Sequence, residues 1–208
     1  MNILAHIYLS GSSELVLTGN FIGDAVKGRR FDVYPEMVQY GIRLHRFIDY
    51  YTDTHPLVHK SKFLLNSEYG KHSGIVVDIF YDFFLSENWD HFSNIPLKEF
   101  IYTSYEILLR NSKYFPAEVK RFFPFFILKN WLERYGSVEG MQEVLTKMSL
   151  RTSLPDKTEF GISTLQKHYA EFEDHFMEFF PELINAIRQN FRIFFPEVEY
   201  RERFLPSA

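Results

Sequence analysis

Gly41–Pro56, GIRLHRFIDYYTDTHP, and Gly74–Trp89, GIVVDIFYDFFLSENW, together decide how this chain folds. In the second stretch Ile75, Val76, Val77, Ile79, Phe80, Tyr81, Phe83, Phe84 and Leu85 surround Asp78 and Asp82, so a helix built from it is apolar on every side. A helix of that kind is buried. Its two carboxylates, four residues apart, lie one above the other on a single face, where an uncompensated charge costs several kcal/mol, roughly 2–7 even for a neutral polar group. They require a cation. In the first stretch Tyr40, Leu44, Phe47, Ile48 and Tyr51 form a helical apolar stripe, and His45, Asp49 and Asp53 follow one another at steps of four along its flank. One imidazole and up to four carboxylates can therefore converge from two helices. Such a donor set suits Mg²⁺, Mn²⁺ or Fe better than a thiolate-type zinc site. Salt bridges to Arg43, Arg46 or Lys27 are the alternative.

Working outward, the pattern stays helical. Ser12-Ser13-Glu14 caps a helix over Leu15–Val26, with Lys27-Gly28 at its end. Asp24 then falls in the last turn, where the helix dipole disfavours a negative charge, so either Lys27 or a metal has to compensate it. Pro35 starts the helix carrying Gly41–Asp53, Pro56 ends or restarts it, and Leu57–Tyr69 continues as a further helix. Pro96–Asn111, Pro116–Tyr135 bent at Pro124, Ser137–Met148, and a long helical stretch of Ile162–Phe180 and Pro181–Phe195, in which Pro181 marks a restart or kink, complete the helices. The tail Tyr200–Ala208 is expected to be loosely held. His6 reads as a satisfied core histidine. Of His55, His59 and His72, the last stands nearest the buried carboxylates. The prolines and phenylalanines of KYFPAEVKRFFPFF read either as irregular core packing or as a hydrophobic wall beside the site.

With no persistent strand alternation and no glycine-rich phosphate loop, the reading is an all-α, single-domain helical bundle over residues 1–208, of about eight or nine helices. The core is aromatic: 23 Phe and 13 Tyr stand among 208 residues. A net charge of −4 without a run of like charges argues against nucleic acid and anionic membranes as partners. The absence of cysteine removes disulfides, Cys-based zinc sites and a thiol nucleophile. No signal-like leader and no run of about 18 apolar residues appear, which points to a soluble cytoplasmic protein.

Five segments then carry a family resemblance: MNILAHIYLS at the start, GNFIGDAVKG at 19–28, GIRLHRFIDYYTD at 41–53, VVDIFYDFFLSENW at 76–89 and WLERYGSVEGMQEVLTKM at 131–148. In order and over the first 150 residues, the chain resembles the acyl carrier protein phosphodiesterases, or ACP hydrolases, divergent relatives of the HD-type metal phosphohydrolases. The resemblance implies an HD-domain-like all-α fold. It also implies hydrolysis of the phosphodiester between 4′-phosphopantetheine and a serine of acyl carrier protein, with a divalent metal, typically Mn²⁺. Carried over by motif, the family's site falls on Asp24 and Lys27, on His45, Arg46, Asp49 and Asp53, and on Asp78 and Asp82. His45 with Asp49 or Asp53 and Asp78 or Asp82 are the implied metal ligands. Arg46 and Lys27 would neutralise phosphoryl charge, and Asp24 or Asp53 would serve as general base. Family members commonly have His after the second aspartate of the buried helix, where this chain has Phe83. Two other functions stay open: a phosphodiesterase or phosphatase for a nucleotide or other small phosphoester, and a non-catalytic module binding the carrier protein. Either carrier-binding reading wants a basic patch, for which Lys27, Arg29, Arg30, Arg43, Arg46, Lys60 and Lys62 are candidates.

Overall fold

The computed structural model describes residues 1–150 and 152–195, and of Arg30 the backbone alone. The tail expected over Tyr200–Ala208 lies outside these residues. Among the described residues there are eleven α-helices and five short 3-10 turns: α1 (Ile3–Tyr8), α2 (Glu14–Phe21), α3 (Glu36–Thr54), α4 (Pro56–Tyr69), α5 (Ser73–Glu87), α6 (Leu97–Arg110), α7 (Ala117–Leu128), α8 (Trp131–Arg134), α9 (Val138–Ser149), α10 (Thr158–Lys167) and α11 (Tyr169–Phe191). The all-α class follows directly from this order.

The apolar run of α5 makes it the central helix. Val76, Val77, Ile79, Phe80, Tyr81, Phe83, Phe84 and Leu85 are all buried, and α1, α4, α9 and α11 pack around them. From α11 come Phe172, Phe176, Phe179, Phe180, Leu183, Ile184 and Ile187, a stripe at steps of three and four. Phe172 meets Phe80 edge-on at 5.4 Å between ring centres, and Tyr81 lies 5.5 Å from both Phe176 and Phe179. Edge-on and tilted pairs dominate because they set the positive rim of one ring against the negative face of the next.

Local signals set most helix starts. Ser13 accepts from Val16 N and Ser137 accepts from Gly140 N, capping α2 and α9. Pro35 and Pro56 stand at helix starts as expected, while two other prolines lie inside helices and do not divide them. Pro181 lies inside a continuous α11, and the division falls earlier, at His168. Likewise α7 runs through Pro124 to Leu128, and the chain breaks at Asn130, whose φ of 44° is left-handed. An interior proline costs about 3 kcal/mol; burial of Phe179, Phe180, Leu183 and Ile184 around Pro181 offsets it.

Helix α2 ends at Phe21, short of the expected Val26, and Gly23–Ala25 forms a 3-10 turn. Packing against α3 explains this. A methyl group on Gly23 would lie 2.3 Å from Cγ of His45, so only glycine lets the turn rest on that imidazole. One turn earlier Gly19 and Gly41 bring α2 and α3 into backbone contact. This crossing positions the site.

Candidate metal centre

The crossing sets Asn20 of α2 beside His45 of α3, and α1, packed on α2, adds His6. His6 on α1 and His45 on α3 stack with ring centres 4.2 Å apart, and both are buried. Asn20 of α2 fixes their orientation. Its amide nitrogen donates to His6 O at 2.7 Å and Ser10 Oγ at 2.9 Å, which turns its Oδ1 toward the imidazoles. That oxygen accepts from His6 Nδ1 at 2.8 Å and lies 3.3 Å from His45 Nδ1. Both Nε2 atoms are thereby left for Asp49, which reaches His6 Nε2 with Oδ1 and His45 Nε2 with Oδ2, each at 3.1 Å. Asp24, exposed on the 3-10 turn, places Oδ1 3.4 Å from His45 Nε2.

Two features show that a cation fits here. In a neutral His6 whose Nδ1 donates to Asn20, Nε2 carries a lone pair, yet it faces both Met1 O and Asp49 Oδ1 at 3.1 Å. A lone pair facing two oxygens is repelled unless positive charge lies between them. His45 Nε2 is buried and has no hydrogen bond of proper alignment, although two carboxylates stand close to it. One donor atom each from His6, His45 and Asp49 lies within 4.8 Å of the others. The three form a possible His-His-Asp site for a divalent metal, built from nitrogen and oxygen donors.

The protonation pattern agrees. Burial pushes His45 down, but contact with Asp24 and Asp49 outweighs it and holds the imidazole at about 9. Burial and the neighbouring His45 depress His6. Burial favours the neutral form of Asp49, yet the two histidines hold its carboxyl well below the usual carboxylate range. Contact with His45 also lowers Asp24. Positive charge is thus held where the donors converge.

Of the residues singled out from sequence, His45, Asp49 and Asp24 meet. The others have separate partners. Asp78 pairs with the Met1 ammonium group at 3.0 Å. Asp82, fully buried, accepts from Leu4 N at 2.7 Å and Ala5 N at 3.2 Å, serving the first turn of α1. Asp53 pairs with Lys62 at 2.7 Å beside a polar cavity of about 510 Å³ that Lys71 and Asp78 also line. Arg46 donates to Val26 O and Gly28 O, both at 2.8 Å, and lies over the Phe31 ring. Lys27 is exposed. His72 lies 3.3 Å from Ser153 Oγ, and Phe83 packs on Phe84 and Tyr169.

His6 and Asn20 are the residues that sequence reasoning missed. Each is a buried polar side chain in a short, mostly apolar helix, ILAHIY and ELVLTGNF. Buried polar groups need partners, and pairing these two with each other was the available signal.

The fold and donor set define an all-α protein with a His-Asp centre, its imidazoles buried and its carboxylates toward solvent, suited to a divalent cation. Comparison with known proteins gives the family. The family model described as acyl carrier protein phosphodiesterase matches residues 1–183, and the chain belongs to that family. An acyl carrier protein phosphodiesterase of Photorhabdus laumondii is 33% identical over 185 residues, covering 88% of this chain and 93% of the relative. Relatives of the same description from Yersinia pestis and Escherichia coli O157:H7 are 30% and 32% identical, each over 88% of this chain and 96% of their own length. No solved structure matches the chain.

Proposed function

We propose that this protein hydrolyses the phosphodiester joining 4′-phosphopantetheine to a serine of holo acyl carrier protein, releasing the apo carrier protein. The observation that carries the reading is the meeting of His6, His45 and Asp49, Nε2 atoms turned toward one carboxylate, in a member of this family. We read residues 1–208 as one HD-like domain acting in the cytoplasm on the carrier protein. In support, no helix among the described residues is long and apolar enough to cross a membrane.

His6, His45 and Asp49 would hold the cation, Mn²⁺ in our reading and Mg²⁺ or Fe²⁺ by the same donor chemistry. When bound, such an ion supplies charge that acidifies water and stabilises negative charge on phosphoryl oxygens. Asn20 keeps both imidazoles in the tautomer that offers Nε2, an outer contact of the kind that orients ligating histidines. Asp24 stands exposed at the mouth and accepts a proton from the attacking water, whose oxygen bonds to phosphorus as the bond to the serine oxygen breaks. The serine oxygen leaves with a proton from solvent. Lys27, three residues on, offers charge to the phosphoryl oxygens. Asp53, Asp78, Asp82 and Arg46 are assigned supporting roles through the partners described above.

The test is to incubate the purified protein with holo acyl carrier protein, with and without Mn²⁺, and follow the intact mass of the carrier. Metal-dependent loss of the phosphopantetheine mass is expected, and Asp49→Asn should abolish it. An unchanged carrier in the presence of bound Mn²⁺ would overturn the proposal.

A further inference from the structure

His6, Asp24 and His45 line more than a cation site: they form part of the wall of a cavity of about 210 Å³. Its remaining lining is mostly apolar and comes from different helices, Ile3 of α1, Phe21 of α2, and Val119 and Phe122 of α7. Helix α7 lies far along the chain from the His-Asp residues, and the bundle brings it over them. It is fixed from behind by aromatic contacts. Phe21 packs on Phe115, Phe123 and Phe126, and Phe122 packs on Phe126 and Trp131, so the apolar wall is backed by core.

With a cation held by the His-Asp residues on one part of its wall and apolar side chains on the rest, the cavity would suit a ligand that is anionic at one place and apolar beside it. The diester has two substituents. One is a serine on a folded protein, which a space this small cannot admit. The other is a slender arm that begins, next to the phosphate, with a methylene and a quaternary carbon carrying two methyl groups. We propose that this slot receives the pantetheine arm, with Val119 and Phe122 packed against its dimethyl segment, while the serine side of the diester stays outside on the carrier protein. The assignment rests on the proposed function for the identity of the ligand. It adds two residues of α7, outside the His-Asp set, as the specificity-determining wall.

Mn²⁺-loaded protein is titrated with free 4′-phosphopantetheine and separately with inorganic phosphate, for the parent, Val119→Phe and Phe122→Ala. Val119→Phe fills the slot, and Phe122→Ala removes half of its α7 wall from a partly exposed position that tolerates truncation. Each should weaken 4′-phosphopantetheine by about tenfold, the order associated with one or two misplaced carbon groups in an apolar pocket, and leave phosphate affinity within about twofold. Circular dichroism confirms that the variants are folded. Equal weakening of both ligands, no weakening in the folded variants, or a parent that binds 4′-phosphopantetheine no better than phosphate would overturn the slot assignment. The conversion of holo to apo carrier protein is scored separately. Selective loss of arm binding without carrier hydrolysis would keep the slot and reject the proposed reaction, and carrier hydrolysis insensitive to both substitutions would do the reverse.

Discussion

Replacing Gly41 by alanine should loosen the crossing on which the metal centre depends. An added Cβ would lie 2.2 Å from Val16 O, 2.8 Å from Asn20 N and 2.9 Å from Gly19 Cα, all backbone atoms that no side-chain rotation can clear. Ordinary contact begins at 3.4 Å, so the two backbones must part by about 1.2 Å at this point. Overpacking of this kind costs about 1–3 kcal/mol, while exchanging an interior helical glycine for alanine returns about 0.5–1 kcal/mol. The net expectation is a loss of about 1–2 kcal/mol, a fall in Tm of roughly 2–8 °C for a chain of this size. The displacement also moves Asn20, whose Oδ1 holds the first imidazole and lies against the second, so Mn²⁺ affinity should fall by about tenfold or more. Thermal melting of the metal-free protein and a Mn²⁺ titration read the two effects. A Gly41→Ala protein that melts higher than the parent, with unchanged Mn²⁺ affinity, would refute the close crossing.

Asp82 gives a pH signature opposite to that of an ordinary surface carboxylate. Burial raises it from 3.8 to about 7 against the pull of its two backbone donors, so the native state binds the proton more tightly than the unfolded state in that window. Its contribution to stability therefore falls as pH rises from about 4 to about 7, by on the order of 4 kcal/mol. Asp82→Asn removes the titration, so in urea unfolding the stability of the parent relative to the variant should decline between pH 5 and pH 8; a constant difference would contradict this. Mn²⁺ binding should strengthen with pH, because the ion must displace the proton that Asp24 and Asp49 hold on His45 up to about 9. A roughly tenfold fall in Kd per unit between pH 6.5 and 8.5, by calorimetry, is the expected result, and a flat profile would contradict it. Phe176→Ala should cost about 3–5 kcal/mol by denaturant unfolding, since that fully buried ring meets Tyr81, Phe84, Phe92 and Phe180; a loss below about 1 kcal/mol would show that the cluster is loosely packed.

Sequence alone determined that this chain is helical and that α5 lies at its centre, because those conclusions depend on neighbours one turn apart. The all-round apolar run of α5, the stripe of α3 and the caps at Ser13 and Ser137 are local patterns, and the helices formed where the patterns were. The same reasoning placed His45 and Asp49 on one helix face, since a spacing of four fixes that on any α-helix. It did not locate the divisions at Asn130 and His168, and at Pro124 and Pro181 the helices run on, because burial of the apolar side chains flanking each proline offsets a local cost of about 3 kcal/mol. Tertiary structure alone decided which carboxylates share the centre. Asp78 and Asp82 went to the N-terminal segment, whose ammonium group and backbone N–H groups satisfy them. His6 and Asn20 came in their place from two other helices: contact at Gly19 and Gly41 sets Asn20 beside α3, and Asn20 in turn holds His6 of α1. No spacing along the sequence encodes that meeting, because it depends on how closely two backbones can approach where glycine leaves room.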